Sequence, residues 1–161
     1  MSWIRRRFLI GGLLAVLMTA AMIAAFGGGG SAATTRYVTS VAFTGTSVAP
    51  TITVHGVGFG STAPTSYSAA VTTCGTYSDN GKWYGNNGLV FFDDTHLWQA
   101  GKGKGTSGNC IGIKLVSWAD TQIVFGFGNA YGSFDHWTAD AADNYVLTVK
   151  GFLWGGVVAY T

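Results

Sequence analysis

The chain has 161 residues with nine Lys/Arg, seven acidic residues, 25 glycines and two cysteines, a length that bounds it to one small domain beyond any leader. Every acidic residue is an aspartate, and three of the nine cations (Arg5, Arg6, Arg7) precede the first apolar run. The remainder therefore carries 6 − 7 = −1, which leaves no basic patch of the kind that grips nucleic acid.

Residues 1–33 have the layout of an export signal. The three arginines form a positive n-region, an apolar run covers residues 8–26, and Gly27 to Gly30 break it. Ser31-Ala32-Ala33 then supplies the small residues a signal peptidase accepts. Arg5-Arg6-Arg7-Phe8-Leu9 also resembles a twin-arginine signal, from which Ile4 and Ile10 depart. The run is near the ~20 residues that span a bilayer as a helix, so a retained anchor helix is the alternative to cleavage after Ala32 or Ala33. Cleavage is favoured, because Gly11, Gly12 and the alanines dilute the apolar character. The expected location is outside the cytoplasm, reached by the general secretory or the twin-arginine route. The membrane is involved only through an uncleaved leader.

Residues 34–36 read as a linker and residues 37–161 as one domain. The domain has no glutamate, few helix formers, and much Gly, Thr, Ser, Val and aromatic side chain. That is the composition of strands and turns. Strands are expected at 37–43 and at 50–55, where Ile52 and Val54 alternate with Thr51, Thr53 and His55. Gly56-Val-Gly-Phe-Gly60 turns the chain. Further strands are expected at 67–74, 89–92, 110–118, 121–127, 144–150 and 154–160. Residues 79–87 and 98–109 read as loops. Seven or eight short strands without a helix argue an all-β sandwich.

Three segments carry a family resemblance. Pro50-Thr-Ile-Thr-Val-His-Gly-Val-Gly-Phe-Gly60 resembles the opening strand and G-x-G-F turn of the IPT/TIG domain. Trp118-Ala-Asp-Thr-Gln-Ile-Val-Phe125 looks like its later turn and strand. Asp143-Asn-Tyr-Val-Leu-Thr-Val149 is similar to its penultimate strand. The resemblance implies an immunoglobulin-like β-sandwich of the secreted bacterial type, preceded by the signal or anchor helix. The segment between Cys74 and Cys110 departs from short members in its length and its aromatics. Family members include extracellular interaction modules, parts of carbohydrate-active enzymes and dimerising domains, so the resemblance implies a fold more than an activity.

Catalytic chemistry finds little support. His55, His96 and His136 lack ligand spacing, and a zinc site needs three or four converging ligands. Asp93 and Asp94 are adjacent and would face opposite ways in a strand. No G-x-S-x-G elbow exists, and Gly101 to Gly108 lacks the ending of a phosphate loop. Asp79, Asn80, Asp93, Asp94, Asp140 and Asp143 are calcium-type oxygens, but turn capping is the favoured role for each. The expectation is no enzyme, no metal and no cofactor.

An isolated cysteine pair outside the cytoplasm reads as a Cys74–Cys110 disulfide. Trp83, Tyr84, Trp98, His136 and Trp137 fall in expected loops. Exposed, these rings would be platforms for a partner's apolar patch or a sugar ring. Trp83, Tyr84, Trp98 and Trp137 are therefore the candidate ligand-binding residues, whereas Trp118 and Trp154 are expected in the core. The function expected is a secreted or surface-tethered binding or adhesion module for an extracellular protein or glycan. A carbohydrate-binding module is the alternative, and a small secreted hydrolase follows it.

Overall fold

Alternation of apolar and polar side chains sets the architecture. The computed structural model describes residues 35–66, 79–103, 110–133 and 137–161, and among them there is no helix. β1 (Tyr37–Thr46) and β2 (Ala49–Val57) form an antiparallel hairpin. Pro50, Ile52 and Val54 are buried on one face of β2, while Thr51 and His55 are exposed on the other. The later strands are β3 (Leu89–Asp93), β4 (Trp98–Ala100), β5 (Ile113–Trp118), β6 (Gln122–Phe127), β7 (Asn144–Val149) and β8 (Phe152–Val157).

The strands build two four-stranded sheets, ordered β1-β2-β6-β5 and β4-β3-β7-β8. Every pairing between these strands is antiparallel. The described residues are thus all-β and sandwich-like. Both sheets give their apolar faces to one core, with Ile52, Val54, Ile123 and Phe125 from the first and Leu89, Phe91, Tyr145 and Leu147 from the second. Phe91 sits at the centre of an aromatic cluster. Its ring lies 6.2 Å from Phe43, 5.2 Å from Phe127, 5.4 Å from Trp98 and 5.6 Å from Tyr145. Phe43 and Phe127 meet it edge-on and Tyr145 stacks on it, and such pairs add to the burial each ring already provides.

The glycine-rich turn after β2 and the turn between β5 and β6 lock together. Asp120 accepts from Phe59 N at 3.0 Å through its carbonyl and from Gly60 N at 2.8 Å through its carboxylate. The Trp118 indole donates to Gly60 O at 2.9 Å, and Phe59 meets its ring edge-on. The chemistry of glycine is required: a Cβ at Gly56 would collide with the Tyr37 carbonyl and the Phe59 ring, and Gly60 has φ +77°. Lys150 caps the assembly, its Nζ 5.3 Å above the Trp118 ring and 2.8 Å from Thr62 O. Trp118 and Trp154 are both partly buried against the core, as expected.

One expectation needs revision, and two fall outside the described residues. Residues 98–100 are a strand rather than loop, because Trp98, Gln99 and Ala100 pair with Asp93, Phe92 and Phe91 across a tight turn. The expected strand at 67–74 and the leader at 1–33 lie outside the described residues.

Candidate functional site

The aromatic platform expected in the loops is not present at three of its four positions. Trp83 is 1% exposed, Trp98 0% and Tyr84 8%. Trp98 is the first residue of β4 and packs against Phe91, Phe127 and Tyr131. Its indole donates to Thr138 O at 3.3 Å. Tyr84 joins the main core, and Trp83 forms a smaller cluster with Cys110. Trp137 is partly buried against both clusters. These rings fold back because a sandwich of this size has ends that must be sealed from water, and a large aromatic removes more apolar surface than any aliphatic. His136 and Cys74 lie outside the described residues. Cys110 is 4% exposed, and no described cysteine is free.

Two other features take the place of that platform. The first is a groove of about 460 Å³ on the outward face of the second sheet. The register puts Val90 beside Thr148 and Phe92 beside both Val146 and Gln99. Their inward neighbours Leu89, Phe91, Leu147 and Val149 are core, so these side chains point away from it. Val90, Phe92 and Val146 line the apolar floor, and Asn86, Gln99, Thr148 and Lys102 supply amide, hydroxyl and ammonium groups. Leu153 pairs with Thr148 and Val157 with Asn144. They continue the same face and are 65% and 56% exposed.

The second feature lies at one end of the inward face. Asp93 ends β3 with a fully buried carboxylate, and Asp94 after it is exposed, so the adjacent pair does face opposite ways. Asp93 Oδ1 accepts from Thr95 N at 2.9 Å and His96 N at 2.8 Å, which closes the β3–β4 turn. Asp93 Oδ2 is buried and accepts no hydrogen bond. It stands 3.5 Å from His96 Nδ1, and Asp143 Oδ2 stands 3.3 Å from the same nitrogen. Asp143 is buried and its Oδ2 also accepts from Asp140 N at 2.7 Å. Two bonds join the turns that carry these groups: Asp94 N to Asn144 O at 2.8 Å, and Asn144 N to Thr95 Oγ1 at 2.8 Å.

Burial raises the Asp93 carboxyl above its ordinary value. The His96 amide opposes the rise and the nearby Asp143 charge adds to it. Leu97 and Ala142, which flank the cluster, have φ +58° and +77°, a region that side-chain-bearing residues seldom enter. Burial also raises the phenols beyond this end: Tyr160 goes to about 12, with the Asp140 charge assisting, and Tyr131 goes higher.

In sequence, Asp93 and Asp143 read only as calcium-type oxygens with turn capping favoured, and His96 has no ligand spacing. Asp143 arrives only through the pairing of β3 with β7. No family model, curated protein or solved structure matches the chain.

Proposed function

We propose that the chain is an exported, non-catalytic binding module that engages an extracellular protein through the open face of its second sheet. The observation that carries this reading is the groove over Val90, Phe92 and Val146, with its polar wall. An apolar centre inside a rim of hydrogen-bonding groups is the anatomy of a protein interface. Leu153 and Val157 extend it as an exposed apolar surface, and contiguous surface of that kind marks interaction sites. The burial of Trp83, Tyr84 and Trp98 withdraws the stacking surface that a sugar-binding reading needs at those positions. Among the described residues lining the groove, Lys102 is the one charged group, which suits a neutral or acidic partner.

An immunoglobulin-like fold of the IPT/TIG type is part of the same proposal. The strand orders support it. Lettered in chain order with β4 as C′, they read A-B-E-D and C′-C-F-G, the arrangement of immunoglobulin sheets. The docking of the Gly56–Gly60 turn onto Trp118 and Asp120 supports it too, since those are two of the segments carrying the resemblance. The Arg5–Arg7 leader supports export, and a Cys74–Cys110 bridge would suit an oxidising compartment.

The test immobilises residues 34–161 and screens a panel of extracellular proteins beside a glycan array. Leu153→Glu and Lys102→Glu are run in parallel. Leu153 is 65% exposed, so Leu153→Glu should change stability by no more than about 0.5 kcal/mol; Lys102 is half-buried, so a thermal melt of Lys102→Glu confirms that it is folded before it is scored. The expected result is a protein ligand held by the parent and lost by both variants. A ligand held equally by all three would contradict the assignment of this face, and a ligand found only on the glycan array would replace the protein partner with a sugar.

A further inference from the structure

We propose that Asp93, His96 and Asp143 bind one divalent cation of the zinc class through His96 Nδ1 and one oxygen of each carboxylate. The three donor atoms lie within 4.8 Å of one another. Zinc bonds of about 2.0–2.2 Å set at tetrahedral angles place neighbouring ligand atoms about 3.3–3.6 Å apart. The two separations from His96 Nδ1 are 3.3 and 3.5 Å.

A second observation is independent of that spacing. Asp93 is 0% exposed, yet its Oδ2 accepts no hydrogen bond and faces the other two donors. A buried carboxylate oxygen without a donor is costly unless a cation or proton meets it. The other Asp93 oxygen is fixed by two backbone amides, and the Asp140 amide fixes Asp143. Such supporting bonds orient metal ligands before the ion arrives. The imidazole donor favours zinc and its neighbours over calcium, which takes six to eight oxygens. The His96 side chain is 31% exposed, but its Nδ1, like Asp93 Oδ2, is buried, so the donor atoms face an enclosed site beneath the ring. Three protein ligands leave a fourth position for water or a ligand atom.

The competing arrangement is His96 held between the two aspartates by hydrogen bonding alone, with no ion. Chelator-treated full chain is titrated with Zn²⁺ alone by calorimetry and by competition with a chromophoric chelator. Co²⁺ is added separately, and its visible spectrum reports coordination. The expected result is one ion per chain, a tetrahedral cobalt band, and a melting temperature that rises with zinc. His96→Ala and His96→Gln should each weaken binding at least about 100-fold, the upper end of what even a supporting residue contributes. Asp94→Asn, exposed on the same turn, should leave affinity unchanged. Absence of stoichiometric binding in the parent chain overturns the proposal and leaves the ion-free contact of His96 with the two aspartates. Binding that survives either His96 substitution in a folded variant also overturns it.

Discussion

Two turns of this molecule follow one plan with opposite remainders. In each, an aspartate accepts backbone amides a few residues before a buried tryptophan. Asp79 uses both oxygens: Oδ1 accepts from Gly81 N at 2.6 Å and Oδ2 from Ala130 N at 2.8 Å. Gly128 lies so close to that carboxylate that a Cβ there would collide with it. Asp93 satisfies two amides with one oxygen and leaves the other facing His96. The tryptophans reverse the pattern. Trp98 donates its indole N–H to Thr138 O, whereas the Trp83 N–H is buried without an acceptor. A polar side chain whose atoms are all used is a staple. One buried with an atom to spare is a place to look for a ligand.

The largest effect expected from this comparison concerns the tryptophans. Trp83→Ala and Trp98→Ala should each cost about 3–5 kcal/mol, as truncation of a buried aromatic does. Urea denaturation reads this directly, and a loss under about 1 kcal/mol at either position would mean that the ring is not core. The phenylalanine variants separate the two sites. Trp98→Phe leaves the Thr138 carbonyl without its donor, while Trp83→Phe removes a buried group that had no acceptor. Trp98→Phe should therefore be the more damaging by about 1 kcal/mol.

The aspartates come next. Asp79→Asn replaces an acceptor with a donor facing a backbone N–H, so it should cost about 1.5–3 kcal/mol, the worth of a hydrogen bond to a charged group. Asp93→Asn keeps Oδ1 for Thr95 and His96 and replaces the oxygen that accepts no hydrogen bond, so in metal-free protein it should cost less than Asp79→Asn. Equal losses would erase the distinction between staple and open site.

A smaller effect is expected at high pH. The Tyr160 hydroxyl donates to Ala139 O at 2.6 Å, and Ala139 N donates to the Tyr131 hydroxyl at 2.8 Å. Burial lifts the folded Tyr160 above its ordinary 10.0 to about 12. The unfolded chain therefore loses this proton first. The contribution to stability is full below pH 10 and is lost as pH rises through about 12. Ultraviolet titration of tyrosinate should show late-ionising groups in the folded protein, and Tyr160→Phe should flatten the alkaline fall in stability. A parent chain whose stability is level across this range would contradict the burial assigned to Tyr160.

The sequence made the strands legible wherever the residues alternate. Ile52 and Val54, Ile123 and Phe125, and Tyr145 and Leu147 all point inward, as their period of two requires. It was much less informative about loops. Whether Trp83 or Trp98 faces water depends on where the chain folds them, and no local pattern encodes that. β4 escaped notice because three residues carry no period, and its strand character comes from pairing with β3. The candidate cluster is legible only in part, since Asp93 and Asp143 read as calcium-type oxygens while nothing local ties either to His96. Asp93 and His96 are close in sequence, but Asp143 joins them only when β7 lies beside β3. The groove likewise exists only once Phe92, Gln99 and Val146 share a sheet face.

Anomalous diffraction at the zinc edge, from crystals grown with Zn²⁺, tests the contrast between the two turns most directly. One peak should lie about 2.0–2.2 Å from the donor atoms of Asp93, His96 and Asp143, with none at Asp79. No peak at the first site, or a peak of equal height beside Asp79, would contradict the account.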